Sequence, residues 1–241
     1  MKYRFFLITY ILLTTSISSC KKESASKADP YKCVACKTTP DALVANNSSS
    51  KGIYKGIVIG STGTIMFNIM NGGTTITATM VLDGTTVNLT SVVSWISGVA
   101  YVAPFTGTLN GGSVTITFKV DANGGNPIVT SSNIPGHATA QFNLVKESST
   151  ALIECFEGTY DNSKPETGTF NLLLSRSLGM FGGSSRKTGG ASNGDFEGTL
   201  SGGGVLTMDG KVIGNLSEDQ ISGTFKDSNG NTIKINAKRT F

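Results

Sequence analysis

Charge is scarce in this chain. Asp, Glu, Lys and Arg make up 15% of its 241 residues, against about 25% in an ordinary globular protein. With 20 basic and 16 acidic residues, a net charge of +4, its surplus is too small to build the basic face that nucleic acid requires. Histidine and tryptophan occur once each, at His137 and Trp95. The scattered aromatics make no paired girdles of the kind that membrane-spanning barrels carry at their two interfaces. Past residue 13 no run approaches the roughly 20 apolar residues of a membrane-crossing helix. What is plentiful is glycine, 30 of 241 residues where about 7% is usual, together with Thr, Ser and Asn. Many turns joining short Thr-rich strands produce that profile.

The N-terminus reads as a processing signal. Lys2 and Arg4 precede a short apolar core, Phe5 to Leu13, and then come Ile17-Ser18-Ser19-Cys20. A core this short is a signal-peptide h-region. The last four residues resemble the bacterial lipobox, an aliphatic residue and two small residues before a cysteine. The resemblance implies cleavage before Cys20 and acylation of Cys20, and so attachment to a membrane by lipid. Several acyl chains anchor stably where one does not. No Asp follows Cys20, a pattern similar to outer-membrane lipoproteins, and Lys21-Lys22-Glu23 is similar to surface-export tags of Bacteroidetes-type lipoproteins. The implied location is the cell envelope, lipid-anchored in the outer membrane, facing the periplasm or the surface. Loss of residues 1–19 removes Lys2 and Arg4, leaving a net charge of +2.

Residues 20–50 read as a flexible tether rich in Ser, Lys, Ala and Asn, ending in Asn46-Asn47-Ser48-Ser49-Ser50. Thirty coil residues span roughly 30 Å. Thr39 as N-cap, Pro40 at the first helical position and Asp41 in the first turn predict one short helix there. From Lys51 the period is two. Val114, Ile116, Phe118 and Val120 alternate with polar residues, as do Ile76 to Leu82, Ala138 to Leu144, Phe170 to Leu174 and Ile233 to Ala237. Asn71-Gly72, Asp83-Gly84, Asn110-Gly111, Asn193-Gly194, Asp209-Gly210 and Asn229-Gly230 are hairpin signals, because these dipeptides accept positive φ. Links this short join antiparallel neighbours. The expected fold is all-β, an antiparallel meander forming a barrel or sandwich, with Ser91 to Ile96 as its one short helical stretch. Tyr54-Lys55-Gly56 before Gly63-Thr64 echoes Phe156-Glu157-Gly158 before Gly168-Thr169. Phe105 to Leu109 likewise echoes Phe196 to Leu200. These echoes predict two related halves, about 51–147 and 154–241.

Chemistry is harder to find. With Cys20 lipidated, Cys33, Cys36 and Cys155 remain, and an oxidising envelope favours a disulfide, either Cys33–Cys36 or one from the tether to Cys155. The Cys33-Val34-Ala35-Cys36 spacing lacks the βαβ setting of a redox motif and the His of a haem site. A zinc site from the three thiols and His137 has a permissible ligand count but nothing else in its favour. His137 takes the polar phase of its strand, and no serine sits in a nucleophile elbow. Glycoside hydrolysis needs two carboxylates on one cleft. Glu154, Glu157, Asp161 and Glu166 are the densest acids, with Asp195 and Glu197 further on, all at turns and strand ends where solvated charge belongs. Arg239 shares the inward phase of Ile233, Ile235 and Ala237. Gly158-Thr159-Tyr160 on the first strand of the second half, with Arg239 on its last, resembles the lipocalin-like (calycin) pattern. That resemblance implies Arg239 packed across Tyr160 at a closed barrel end, a cation–π contact.

The function expected from these readings is that of a non-enzymatic, lipid-anchored envelope module that binds glycan, protein or a small apolar ligand. It needs no cofactor, metal or nucleic acid, and touches the membrane through its lipid. A polysaccharide hydrolase and an accessory outer-membrane barrel are the alternatives. Phe241 at the C-terminus resembles a barrel-assembly signal, although the strands look short of the 9–11 residues a spanning barrel uses.

Overall fold

A computed structural model describes residues 29–241; the lipobox, Cys20 and residues 20–28 of the tether lie outside the described residues. Strands β1 (Gly52–Ile59), β2 (Gly63–Ile69), β3 (Ile76–Leu82), β4 (Thr85–Thr90), β5 (Tyr101–Leu109), β6 (Gly112–Val120), β7 (Ile128–Asn133) and β8 (Gln141–Lys146) form one antiparallel sheet. Its order is β7-β6-β5-β4-β3-β2-β1-β8, and it curls until β7 and β8 stand beside each other at a seam. Strands β9 (Glu154–Asn162), β10 (Glu166–Ser175), β11 (Met180–Lys187), β12 (Asn193–Leu200), β13 (Val205–Met208), β14 (Lys211–Ser217), β15 (Gln220–Lys226) and β16 (Thr232–Arg239) form a second sheet. That sheet closes completely, β16 pairing with β9. The chain is all-β, and its two halves are two barrels rather than the faces of a sandwich.

The hairpin chemistry explains the meander. At Asp83-Gly84, Asn110-Gly111 and Asp209-Gly210 both residues have positive φ, between 46° and 80°, the pairing that matches the right-handed twist of flanking strands. Asn193-Gly194 departs from the expectation. It lies inside β12, paired with Arg186 and Ser185, and neither residue has positive φ. At Asn71-Gly72 the connection is longer, and Met70 rather than Asn71 takes the left-handed conformation (φ 50°).

The first barrel is filled by rings. Tyr54, Phe67, Phe105 and Phe118 are fully buried with centroids 4.4–6.3 Å apart in four pairs, a spacing suited to tilted and offset contact. Val114, Ile116 and Val120, in phase with Phe118 on β6, are fully buried beside these rings. In the second barrel aromatic rings lie across inward glycines of the neighbouring strand. A Cβ on Gly168 would stand 2.4 Å from the Tyr160 ring, and one on Gly198 2.5 Å from the Phe181 ring, so only glycine admits them.

Strand β1 runs obliquely over β9, β10 and β11 and joins the two barrels. Ile57, Ile59, Ile153, Cys155 and Leu173 make a separate buried cluster there. Beside it Lys55 and Glu147, 2% and 0% exposed, form an ion pair at 2.6 Å. The Glu147 carboxylate also accepts from the backbone N–H groups of Asp41, Ala42 and Ile153. Asn171 donates to the carbonyl of Val58, and Arg186 to Thr139.

Residues 31–50 are a strap, which corrects the expectation of a flexible tether through Ser50. Tyr31, Cys33 and Lys37 bond to the base of the second barrel at Asp219 and Arg239. Ala42, Asn46 and Ser50 are buried against the first. Long-range partners hold what composition alone reads as coil. The short helix expected at Pro40 is only a single 3-10 turn, Val44–Asn46, with no side-chain cap at Leu43; the N–H groups of Asp41 and Ala42 ahead of it bond to Glu147. Ser91 to Ile96 is not helical; the Trp95 indole N–H there donates to Ser50 Oγ, 2.8 Å away.

The first echo is structural: β1 and β9 each pair with the second and the last strand of their own barrel. The second is not, since Phe105 lies on the fifth strand of its barrel and Phe196 on the fourth.

Candidate functional site

The inward positions of β9 to β16 line a cavity of about 360 Å³ in the half of the second barrel remote from the strap. Its walls are apolar: Phe170, Leu172, Leu206, Ile213, Ile221 and Ile235. Alternation puts most of them there, in phase with buried or half-buried neighbours on their strands, whereas Ile213 turns inward at the register shift between β13 and β14. The mouth lies among the β9–β10 and β15–β16 turns, where Asn162, Glu166 and Asp227 bring polar atoms. Tyr160 hangs across the opening and its hydroxyl donates to Glu166 (3.3 Å). Burial pushes the Tyr160 phenol up, reinforced by the Glu166 charge. Glu166 is held below the usual carboxylate range, first by hydrogen bonding to Lys187 (3.0 Å). Hydrogen bonds from Asn231 lower Asp227 in the same way. The mouth therefore carries fixed charge while the interior carries almost none.

The opposite end is shut by ion pairs. Arg239, buried at the foot of β16, reaches Glu154 (2.7 Å) and Asp219 (3.5 Å), and donates to the carbonyls of Phe241 and Lys37. Arg176 bonds both carboxylate oxygens of Glu154, together with Asp219 and the Glu218 carbonyl. Two buried carboxylates thus face two guanidiniums, the arrangement that makes buried charge tolerable. Arg239 does point inward and closes a barrel end, as its phase implies. Its expected partner was wrong. Arg239 is in register with Phe156 and Tyr160 with Ile235, four residues further up β9. The arginine therefore packs against carboxylates at the base, not across the tyrosine at the mouth.

No family model matches the chain, and no curated protein does.

The remaining candidates for chemistry singled out in the sequence, Asp195 at the cavity wall excepted, fall apart from the cavity. Cys33 and Cys36 form the local disulfide, and Cys155 is an unpaired, buried thiol. Burial pushes the Cys155 thiol up to about 12, which leaves it unreactive. The three sulfurs and His137 are not brought together, and among the described residues no cluster of three or more metal-ligating side chains forms. Glu154 is locked by its arginines. Glu157 faces outward near Thr240, its carboxyl raised mainly by burial. Asp161, Asp195 and Glu197 are exposed.

One constellation escaped the sequence reading. Ser61 Oγ meets His137 Nδ1, and Asp83 Oδ2 lies 3.8 Å from that same nitrogen. A hydrolytic triad needs acid and serine on opposite ring nitrogens. Here both compete for one, so the group pins the Ile134–Ala140 connection rather than activating the hydroxyl. The strand-end position of Ser61 and the turn position of Asp83 gave no spacing signal for it.

Proposed function

We propose that the chain is an exported envelope lipoprotein, acylated at Cys20, whose second barrel binds a small apolar molecule without transforming it. The observation that carries this reading is the apolar cavity inside a closed barrel with one end sealed by ion pairs. About 360 Å³ falls at the small end of ligand pockets, which run from about 300 to 1,000 Å³. It corresponds to about a dozen water-sized groups at ~30 Å³ each. The first barrel, built from the same hairpins, is packed with four rings. The space in the second is therefore a property of its side chains and not of barrels in general. The resemblance of Ile17-Ser18-Ser19-Cys20 to the lipobox supports the envelope address.

The test uses the mature chain and an apolar fluorescent dye, with native mass spectrometry of protein purified from envelopes. Dye enhancement is expected for the parent and not for Ile235→Trp or Met208→Trp, which fill the cavity while far-UV circular dichroism stays unchanged. Equal enhancement in the filled variants would place the dye elsewhere and refute the reading. Cys20→Ala and fatty-acid labelling test the anchor separately.

A further inference from the structure

Exposed apolar side chains on this protein are not scattered. Twelve large ones are strongly exposed among the described residues, and eleven lie at the end over which the strap runs. Barrel direction establishes this. Lys55 contacts the carbonyl of Ile153 just before β9, Val58 contacts Asn171 on β10, and Gly60 lies against Arg186 high on β11. The two barrels therefore point the same way, with the β4–β5 and β10–β11 connections at the strap end. Val92, Ile96 and Val99, on the β4–β5 connection, are 97%, 64% and 51% exposed. Leu178 projects from the β10–β11 turn, and Val34 and Val44 from the strap itself. The one exception, Val212, opens β14 at the opposite end. Apolar patches of this kind mark interaction surfaces.

We infer that this end of the molecule is a membrane-docking surface whose occupant is the bilayer interface. That commitment to lipid rests on the proposed acylation of Cys20. The described chain starts at Asp29 on this same end, nine residues after that cysteine, so an acylated Cys20 holds these side chains within reach of the bilayer. The β4–β5 connection, Ser91 to Ala100, carries no charged residue, so inserting its tips leaves no ion in hydrocarbon. Trp95, the chain's single tryptophan, sits half-buried in that connection with Lys51 Nζ 4.1 Å above its ring, an amphipathic pairing suited to the headgroup layer. The cavity mouth of the second barrel then faces away from the bilayer.

The experiment takes the mature chain, residues 20–241 with Cys20→Ser so that no lipid is attached. It is mixed with vesicles of phosphatidylethanolamine and phosphatidylglycerol. Sedimentation is read together with quenching of Trp95 by lipids brominated in the acyl chain. One acyl chain binds bilayers with about 10⁴ M⁻¹, and the apolar tips together should reach on the order of a tenth of that or more, so half the protein binds by about 1 mM accessible lipid. Val92→Ser, Ile96→Ser and Val99→Ser combined should lower the partition by at least about tenfold, whereas Val212→Ser should not change it. Failure to sediment, or equal sedimentation of the triple variant, overturns the inference. So does a chain that ignores bare vesicles yet crosslinks through this connection to an envelope protein in cells. Vesicle binding without fatty-acid labelling of Cys20 would keep the surface and remove the anchor; labelling without vesicle binding would do the reverse.

Discussion

Lys55→Met should destabilise the whole protein by about 3–5 kcal/mol, the usual effect of removing one partner from a buried ion pair. The structure sets the size. Both side chains are almost wholly shielded, the pair is 2.6 Å long, and Lys55 also donates to the Ile153 carbonyl at 3.2 Å. Without the ammonium, Glu147 keeps its three backbone donors but remains an uncompensated charge between two barrels. Glu147→Leu should be at least as damaging, because it leaves the N–H groups of Asp41, Ala42 and Ile153 unsatisfied, each worth about 1–3 kcal/mol when buried without a partner. Lys55→Met with Glu147→Gln should recover part of the loss, giving a coupling of about 1–3 kcal/mol in a double-mutant cycle. The assay is urea unfolding followed by Trp95 fluorescence, which reports the first barrel, and by far-UV circular dichroism, which reports both. A Lys55→Met midpoint within about 1 kcal/mol of the parent, or strict additivity in the cycle, would refute the reasoning.

Three further outcomes follow from the geometry. The Cys155 thiol titrates near 8.5 when unfolded and is pushed up to about 12 in the fold. The folded state thus keeps a proton that the unfolded chain loses. That contribution is complete below about pH 8.5 and is lost as pH rises toward 12, and urea midpoints between pH 7 and 10 should decline accordingly. At pH 8 iodoacetamide should label Cys155 only with denaturant. Opening the Cys33–Cys36 bridge, which closes a loop with a sequence separation of 3, should cost about 2 kcal/mol or less by the chain-entropy estimate and hasten proteolysis between residues 31 and 40. Arg239→Met leaves Glu154 facing Arg176 alone and frees the Lys37 carbonyl. It should lower stability by about 3–5 kcal/mol, read from the urea midpoint, and should loosen the strap to the same protease.

Strand phase and hairpin chemistry were legible in the sequence because both are local. Val114 to Val120 shows its buried face by alternation alone, and Asp83-Gly84, Asn110-Gly111 and Asp209-Gly210 by their tolerance of positive φ. Asn193-Gly194 carries the same signal and misleads, since the Asn193 side chain is committed to Arg186 and Gln141, the second of them 52 residues away and outside any local window. The inward turn of Arg239 could be read from parity; its partners could not, because Asp219 lies in a turn and the Lys37 carbonyl is 202 residues away in sequence. The strap was misjudged for the same reason. The cavity was invisible because it depends on how far Tyr160 and Phe181 swing over Gly168 and Gly198, a matter of shape rather than of hydropathy.

The strap has a mechanical meaning. Tension on an acylated N-terminus would first meet the Tyr31 and Cys33 bonds to Asp219 and then the Lys37 carbonyl on Arg239. The disulfide keeps the segment between them from paying out. A pull from the bilayer would therefore load the rigid base of the second barrel before it reached β1, and the first strand would be spared from being unzipped by its own mooring.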